Sequence, residues 1–245
     1  MGEMSVSVLD AGALRLAWKH DPDEGLRVGT VYGVLLNYRG AIEALGAAVH
    51  EPPYKGPPRA PVLYIKPRNT HRPDGAVVRV PDEAPELEIG AVLGLVIGRT
   101  ACRVAPADAL SYLAGYTALL DVSVPHAVFY RPSIRFRARD GFCPIGPAIT
   151  ACGPGLDPDD MTIRLFIDGT LCQQTSTSQL VRPVPQLLAE VTDFMTLSPG
   201  DILMVGIPVA APQARAGQSV AVEIDGVGRL QARLAAADRF EGAAA

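Results

Sequence analysis

Residues 89–98 read IGAVLGLVIG, ten positions without one polar side chain. A strand with one wet face alternates apolar and polar residues, whereas a run that is apolar at every position must be covered on both sides. The expectation is a central, doubly covered strand. Such a strand needs packed layers above and below it, and 245 residues can supply them, since a chain of this size buries roughly three quarters of its extended surface.

The rest of the chain reads as many strands and few helices. TVYGVLLNY (30–38), VLYIK (62–66), GAVVRV (75–80), GYTALLDVS (115–123), TIRLFI, TLCQQ, DILMVGIP, SVAVEID and GRLQARL have strand patterns, and Asp168-Gly169 marks a hairpin turn. Ile42, Leu45 and Val49 recur at helical spacing before Pro52-Pro53. Pro106 and Asp108 open a helix over about 105–113, and an amphipathic helix is expected over 184–195. The helices are too few for a repeating βαβ ladder, so the pattern is one mixed β domain with several helices. Residues 1–27 read as an N-terminal appendage with a short strand-like SVSVL, residues 28–236 as the domain, and 237–245 as a flexible tail.

Composition removes several classes of function. Hydrophobic residues at 48% argue against disorder, and 22 basic against 26 acidic residues leave no cationic field for a nucleic-acid backbone. No uncharged apolar run spans a bilayer and no leader pattern opens the chain, so a soluble, cytoplasmic protein is expected. Cys102, Cys143, Cys152 and Cys172 form no CxxC pair and read as buried free thiols; His20, His50, His71 and His126 read as loop or surface residues. Phosphate-loop, dinucleotide, zinc-protease and serine-hydrolase motifs are all missing.

One segment concentrates charge. In FYRPSIRFRARDGFCPIGP, Arg131, Arg135, Arg137 and Arg139 fall within nine residues. If this stretch is extended, the last three share a face, and three guanidinium groups suit a substrate with several carboxylates. A solvated strand edge, or pairing with acidic residues of the fold, is the other reading of these arginines, and the residues alone do not favour substrate binding over it.

That segment, with YIKPRNT (64–70), AGYTALLDVSVP (114–125), IDGTLCQQTSTSQL (167–180) and FMTLSPGDILMVGIP (194–208), resembles the fumarylacetoacetate hydrolase superfamily, with all five blocks in order over about residues 31–234. HEPPYKGPP, IKPRNT, DVSVP, FYRP and RDGFCPIG are most similar to the N-terminal half of the decarboxylase/isomerases of homoprotocatechuate (4-hydroxyphenylacetate) breakdown. The resemblance implies an α+β fold, a mixed β-sheet roll of the C-terminal-domain type with a few flanking helices. It implies a divalent ion, Mg²⁺ or Mn²⁺, held by a Glu-x-Glu and an Asp, which would accept charge as an enolate develops on a small polycarboxylate 2-oxo acid. The substrate implied is 5-oxopent-3-ene-1,2,5-tricarboxylate, with isomerisation of the resulting hydroxyheptadienedioate. A homodimer, or a hetero-oligomer with a metal-competent homologous subunit, is also implied.

Residue by residue, the resemblance assigns metal ligation to Asp121, catalysis to Lys66 and Arg137, and substrate binding to Asn69, Arg139 and Thr177. The Glu-x-Glu falls on Gly90-Ala91-Val92, the catalytic His and Glu on Ala41 and Ala44, and a further arginine on Pro125. Glu86 and Glu88 lie on the strand face of Gly90 and Val92, but replacing the pair needs a four-residue slip, about 13 Å along a strand. Asp121 therefore reads either as a lone metal ligand or as a buried carboxylate paired with an arginine. The chain is expected to be a subunit of the decarboxylase/isomerase, or else a non-catalytic structural or regulatory partner of a metal-competent chain.

Overall fold

The computed structural model describes residues 4–9, 13–18, 28–126 and 133–237. Its larger, nine-stranded sheet runs in spatial order β1 (Met4–Leu9), β2 (Ala13–Trp18), β10 (Ala148–Thr150), β8 (Leu113–Ser123), β7 (Leu87–Ile97), β13 (Ile202–Met204), β3 (Val31–Leu35) and β4 (Val62–Lys66), with β14 (Gln213–Ala214) added against β7. A five-stranded sheet runs β12 (Thr170–Ser176), β11 (Thr162–Ile167), β15 (Ser219–Ile224), β16 (Gly228–Ala236), β6 (Ala76–Val80). Two short parallel strands, β5 (His71–Arg72) and β9 (Cys143–Pro144), pair by themselves. Most neighbours are antiparallel, but β13 with β3 and β16 with β6 are parallel, so both large sheets are mixed.

The apolar run lies where its composition requires. Every residue of β7 is buried except half-buried Glu88, and β8 pairs antiparallel along its whole length. Alternation then splits the strand between two cores. Leu87, Ile89, Leu93, Leu95 and Ile97 face the main core, shared with the inner face of the five-stranded sheet and with helix α3 (Val184–Phe194). Val92 and Val96 turn the other way, into a smaller cluster with Leu119, Ile145, Ile202 and Met204. Glu88 and Gly90 share that second face.

Local sequence explains most boundaries. Asp168 and Gly169 both have positive φ, 49° and 79°, the pair of left-handed residues that closes a two-residue hairpin. Helix α3 buries Val184, Leu187, Leu188 and Val191 on one stripe, and Asp159 Oδ1 accepts the first-turn amide of Val184 at 2.7 Å. The stretch read as an N-terminal appendage contains β1 and β2, a hairpin whose second strand pairs with β10 at the sheet edge. Beyond residue 237 the expected tail lies outside the described residues.

The helix expected over about 105–113 is present as a 3₁₀ helix, Pro106–Tyr112. Three expectations change. Residues 39–50 divide into α1 (Arg39–Glu43) and a 3₁₀ segment, Gly46–His50, in place of one continuous helix. Only Cys143 of the four free thiols is buried; Cys102 and Cys172 are exposed and Cys152 is half-buried. The arginine segment is not extended: Ile134–Arg137 forms one helical turn, α2, with the Ser133 carbonyl accepting the amides of Phe136 and Arg137, each at 3.0 Å. Residues two apart on a helix point to nearly opposite sides, so Arg137 turns inward while Arg135 is exposed. Arg131 lies outside the described residues.

Candidate functional site

The site forms where the edge strand β4 meets β8. In the sheet order, β7, β13 and β3 lie between them, a separation of about 19 Å if the sheet were flat. Side chains of β4 nevertheless touch β8, so the sheet is rolled. Tyr64 and Lys66, two residues apart, point into the roll, and Ile65 between them is 52% exposed.

Asp121, on β8, is 1% exposed and lies opposite Gly90 in the β7–β8 register. Lys66 Nζ lies 2.6 Å from its Oδ1, Arg137 Nη1 donates to Oδ2 at 3.1 Å, and the Tyr64 hydroxyl donates to the same Oδ2. The Arg137 guanidinium also sits over the Tyr64 ring, 4.8 Å from its centroid. Burial pushes the Asp121 carboxyl up, but Lys66 and Arg137 outweigh it and hold the group below the ordinary carboxylate range. Burial, with Asp121 beside it, drives the Tyr64 phenol well above its usual value, and burial pushes the nearby Cys143 thiol up to about 12.

Lys66 itself is fully buried. Its ammonium donates to the carbonyls of Val122, Arg137 and Phe142 at 2.7, 2.9 and 3.0 Å. Those three bonds use every N–H it has, so the approach to Asp121 Oδ1 is a charge contact, and that oxygen receives no directed hydrogen bond from the described residues.

The remaining expected residues serve other contacts. Asn69 Nδ2 donates to Ala138 O at 3.0 Å and Asp140 Oδ1 at 2.7 Å, bracing the turn after α2. Arg139 is paired with Glu83 at 2.7 Å on the surface. Thr177 is buried, and its Oγ1 accepts the Met161 amide at 2.8 Å, far along the chain from the cluster. The geometry thus joins Lys66, Arg137 and Asp121, places Asn69 on the adjoining turn, and commits Arg139 and Thr177 to bonds of their own.

A divalent ion does not fit these residues. Asp121 offers one carboxylate, already met by two cations and a hydroxyl, whereas Mg²⁺ or Mn²⁺ takes several oxygen ligands. Gly90 and Val92 carry no oxygen. A Cβ at Gly90 would lie 2.9 Å from Ile207 Cγ2 and 3.1 Å from the Asp121 carbonyl, so side chain and backbone fill the place of the first missing glutamate. Glu88 is two residues away, accepting from Ser123 Oγ at 3.3 Å. Among the described residues no three His, Cys, Asp or Glu side chains are grouped to hold a metal.

Three polar residues with specific bonds, two of them at the cluster, escaped sequence reading. Tyr64 carried no charge signal, although its spacing to Lys66 puts both on one strand face. His71 is buried rather than on the surface and donates from Nε2 to the Lys66 carbonyl at 2.9 Å; burial lowers its pKa. Asn37 is 1% exposed and ties β3 to Val205 and Arg182 through its side-chain amide.

A sequence model described as the fumarylacetoacetate (FAA) hydrolase C-terminal family matches residues 30–235, nearly the whole described domain. The chain belongs to this family. It is 38% identical, over 203 residues, to the 4-hydroxyphenylacetate degradation bifunctional isomerase/decarboxylase of Escherichia coli, which covers 83% of this chain and 46% of that protein. The chain therefore spans about half the length of such relatives. A mitochondrial oxaloacetate tautomerase of Xenopus laevis is 30% identical over 183 residues, covering 71% of this chain and 57% of that one. Among solved structures, the fumarylpyruvate hydrolase of Pseudomonas aeruginosa in complex with Mn²⁺ and pyruvate superposes with a TM-score of 0.74 at 25% identity, covering 89% of this chain and 94% of that one. A 5-carboxymethyl-2-hydroxymuconate delta-isomerase of Mycobacterium smegmatis shares the fold, with a TM-score of 0.76 at 24% identity over 97% and 99% of the two chains. These relatives are enzymes, and the mixed-sheet α+β fold is theirs. Among the described residues no helix is long and apolar enough to cross a membrane.

Proposed function

We propose that this chain is a subunit of a 5-oxopent-3-ene-1,2,5-tricarboxylate decarboxylase/2-hydroxyhepta-2,4-diene-1,7-dioate isomerase, and that within it the chain is the structural or regulatory partner of a metal-competent homologous subunit. The likeness to the E. coli isomerase/decarboxylase supports the system. The neutralised Asp121 carries the role. Loss of CO₂ from a 2-oxo acid needs a sink for the electron pair left behind, and a hard cation on the carbonyl oxygen is the family's means of providing one. Here Lys66 and Arg137 face the carboxylate rather than an open space, and alanines stand at positions 41 and 44. Neither acid group that meets these cations is set up as a general base: the Tyr64 phenol is held protonated, and Asp121 is held ionised beneath two cations.

The test is decarboxylation and isomerisation by the purified chain with Mg²⁺ or Mn²⁺, then with a metal-competent homologous subunit added. The reading expects no turnover from the chain alone, and a gain in the partner's activity or thermal stability on mixing. Turnover by this chain alone would overturn it.

A further inference from the structure

We infer that the Lys66 ammonium is a built-in structural cation, seated in a cage of four oxygens that fastens three parts of the chain together. The oxygens are Asp121 Oδ1 and Val122 O from β8, Arg137 O from the end of α2, and Phe142 O just before β9, at 2.6, 2.7, 2.9 and 3.0 Å. They surround one nitrogen as ligands surround a small ion, with one charged oxygen among three neutral ones. Lys66 is 0% and Asp121 1% exposed, so the nitrogen and its oxygens are shut off from bulk water. Remove the positive charge, and three carbonyls and a carboxylate converge on an empty space in a medium of low dielectric constant.

The cage has an outer support. The Lys66 carbonyl accepts from His71, β5 pairs with β9, and the Gly141 amide donates to Asn69 O at 3.0 Å, so the segment after Lys66 is bound to the same 137–144 loop that the ammonium holds. Lysine and loop close on each other from two directions. This also removes Lys66 from chemistry: an amine that shuttles a proton or attacks a carbonyl must turn a free lone pair toward substrate, and every N–H here is directed at the backbone.

The inference uses the same cluster as the proposed function but not the subunit assignment, and its test does not involve turnover. Nitrogen-15 NMR of the wild-type chain reads the Lys66 ammonium directly. Protons bonded to three buried carbonyls exchange slowly with water, so a resolved Nζ–H correlation is expected at neutral pH. A signal lost to fast exchange would overturn the inference. In parallel, Lys66→Ala is unfolded thermally in ammonium chloride and in tetramethylammonium chloride of equal ionic strength. Ammonium fits the vacated cage and tetramethylammonium does not, so Tm should rise by about 3 °C or more in ammonium only. Equal response to the two salts would contradict the cage. Where Lys66→Ala yields no folded protein, the wild-type signal decides.

Discussion

Tyr64 lies across Gly33, its register partner on the neighbouring strand, so closely that a Cβ on Gly33 would overlap the phenol, with Tyr64 Cζ its nearest atom. The missing side chain on β3 is what lets the ring of the edge strand lie flat and its hydroxyl reach Asp121. Gly33→Ala should push the ring out, cost about 1–3 kcal/mol as an overpacked site, and break the Tyr64–Asp121 hydrogen bond. Urea unfolding measures the cost. A midpoint equal to wild type would mean that Tyr64 is not fixed by this contact.

Asp121→Asn keeps the shape and removes the charge, leaving Lys66 and Arg137 buried without the carboxylate they are paired to. Breaking a buried pair in this way typically costs about 3–5 kcal/mol. Asp225→Asn, which removes an exposed pair with Arg164, should barely move the midpoint. Similar losses in the two variants would show that Asp121 is no more than a surface-like partner.

His71 supplies a pH dependence. Burial lowers its pKa below the unfolded value of 6.5, so the unfolded chain takes up the proton first as pH falls. Its contribution to stability is complete above about 6.5 and is lost as pH drops from there toward the folded value. His71→Gln retains a donor for the Lys66 carbonyl but cannot titrate, and its stability should be flatter than wild type across that interval. An unchanged slope would assign the dependence to other groups.

Gly90→Glu restores one family glutamate by composition, yet its Cβ meets Ile207 and the Asp121 carbonyl. Thermal unfolding should show a loss of about 1–3 kcal/mol, and Ile207→Ala in the same chain should recover part of it. Full stability in Gly90→Glu alone would mean that the cavity is more open than the packing indicates.

Much of the fold was legible because burial leaves a plain mark on sequence. The unbroken apolar run gave the central strand, alternation gave the half-buried Ala76–Val80, and Asp168-Gly169 gave its hairpin. The meeting of Lys66, Arg137 and Asp121 followed from block order in the family. The arginine strand did not exist, because period-two reasoning presumes an extended backbone and one helical turn reverses its outcome. Tyr64 and Ile207 were invisible for a different reason: filling a site needs shape, and apolar or phenolic shape has no motif. The exposed thiols show the limit of composition, since Cys172 sits on β12, whose first three residues face solvent.

The central claim is that side chains, and not a divalent ion, neutralise Asp121. Electron paramagnetic resonance of Mn²⁺ titrated into the dialysed chain tests it most directly, because free and protein-bound Mn²⁺ give different spectra. At millimolar Mn²⁺ the account predicts the spectrum of the free aqueous ion, unchanged by Asp121→Asn. Stoichiometric binding in the wild type that disappears in Asp121→Asn would contradict it.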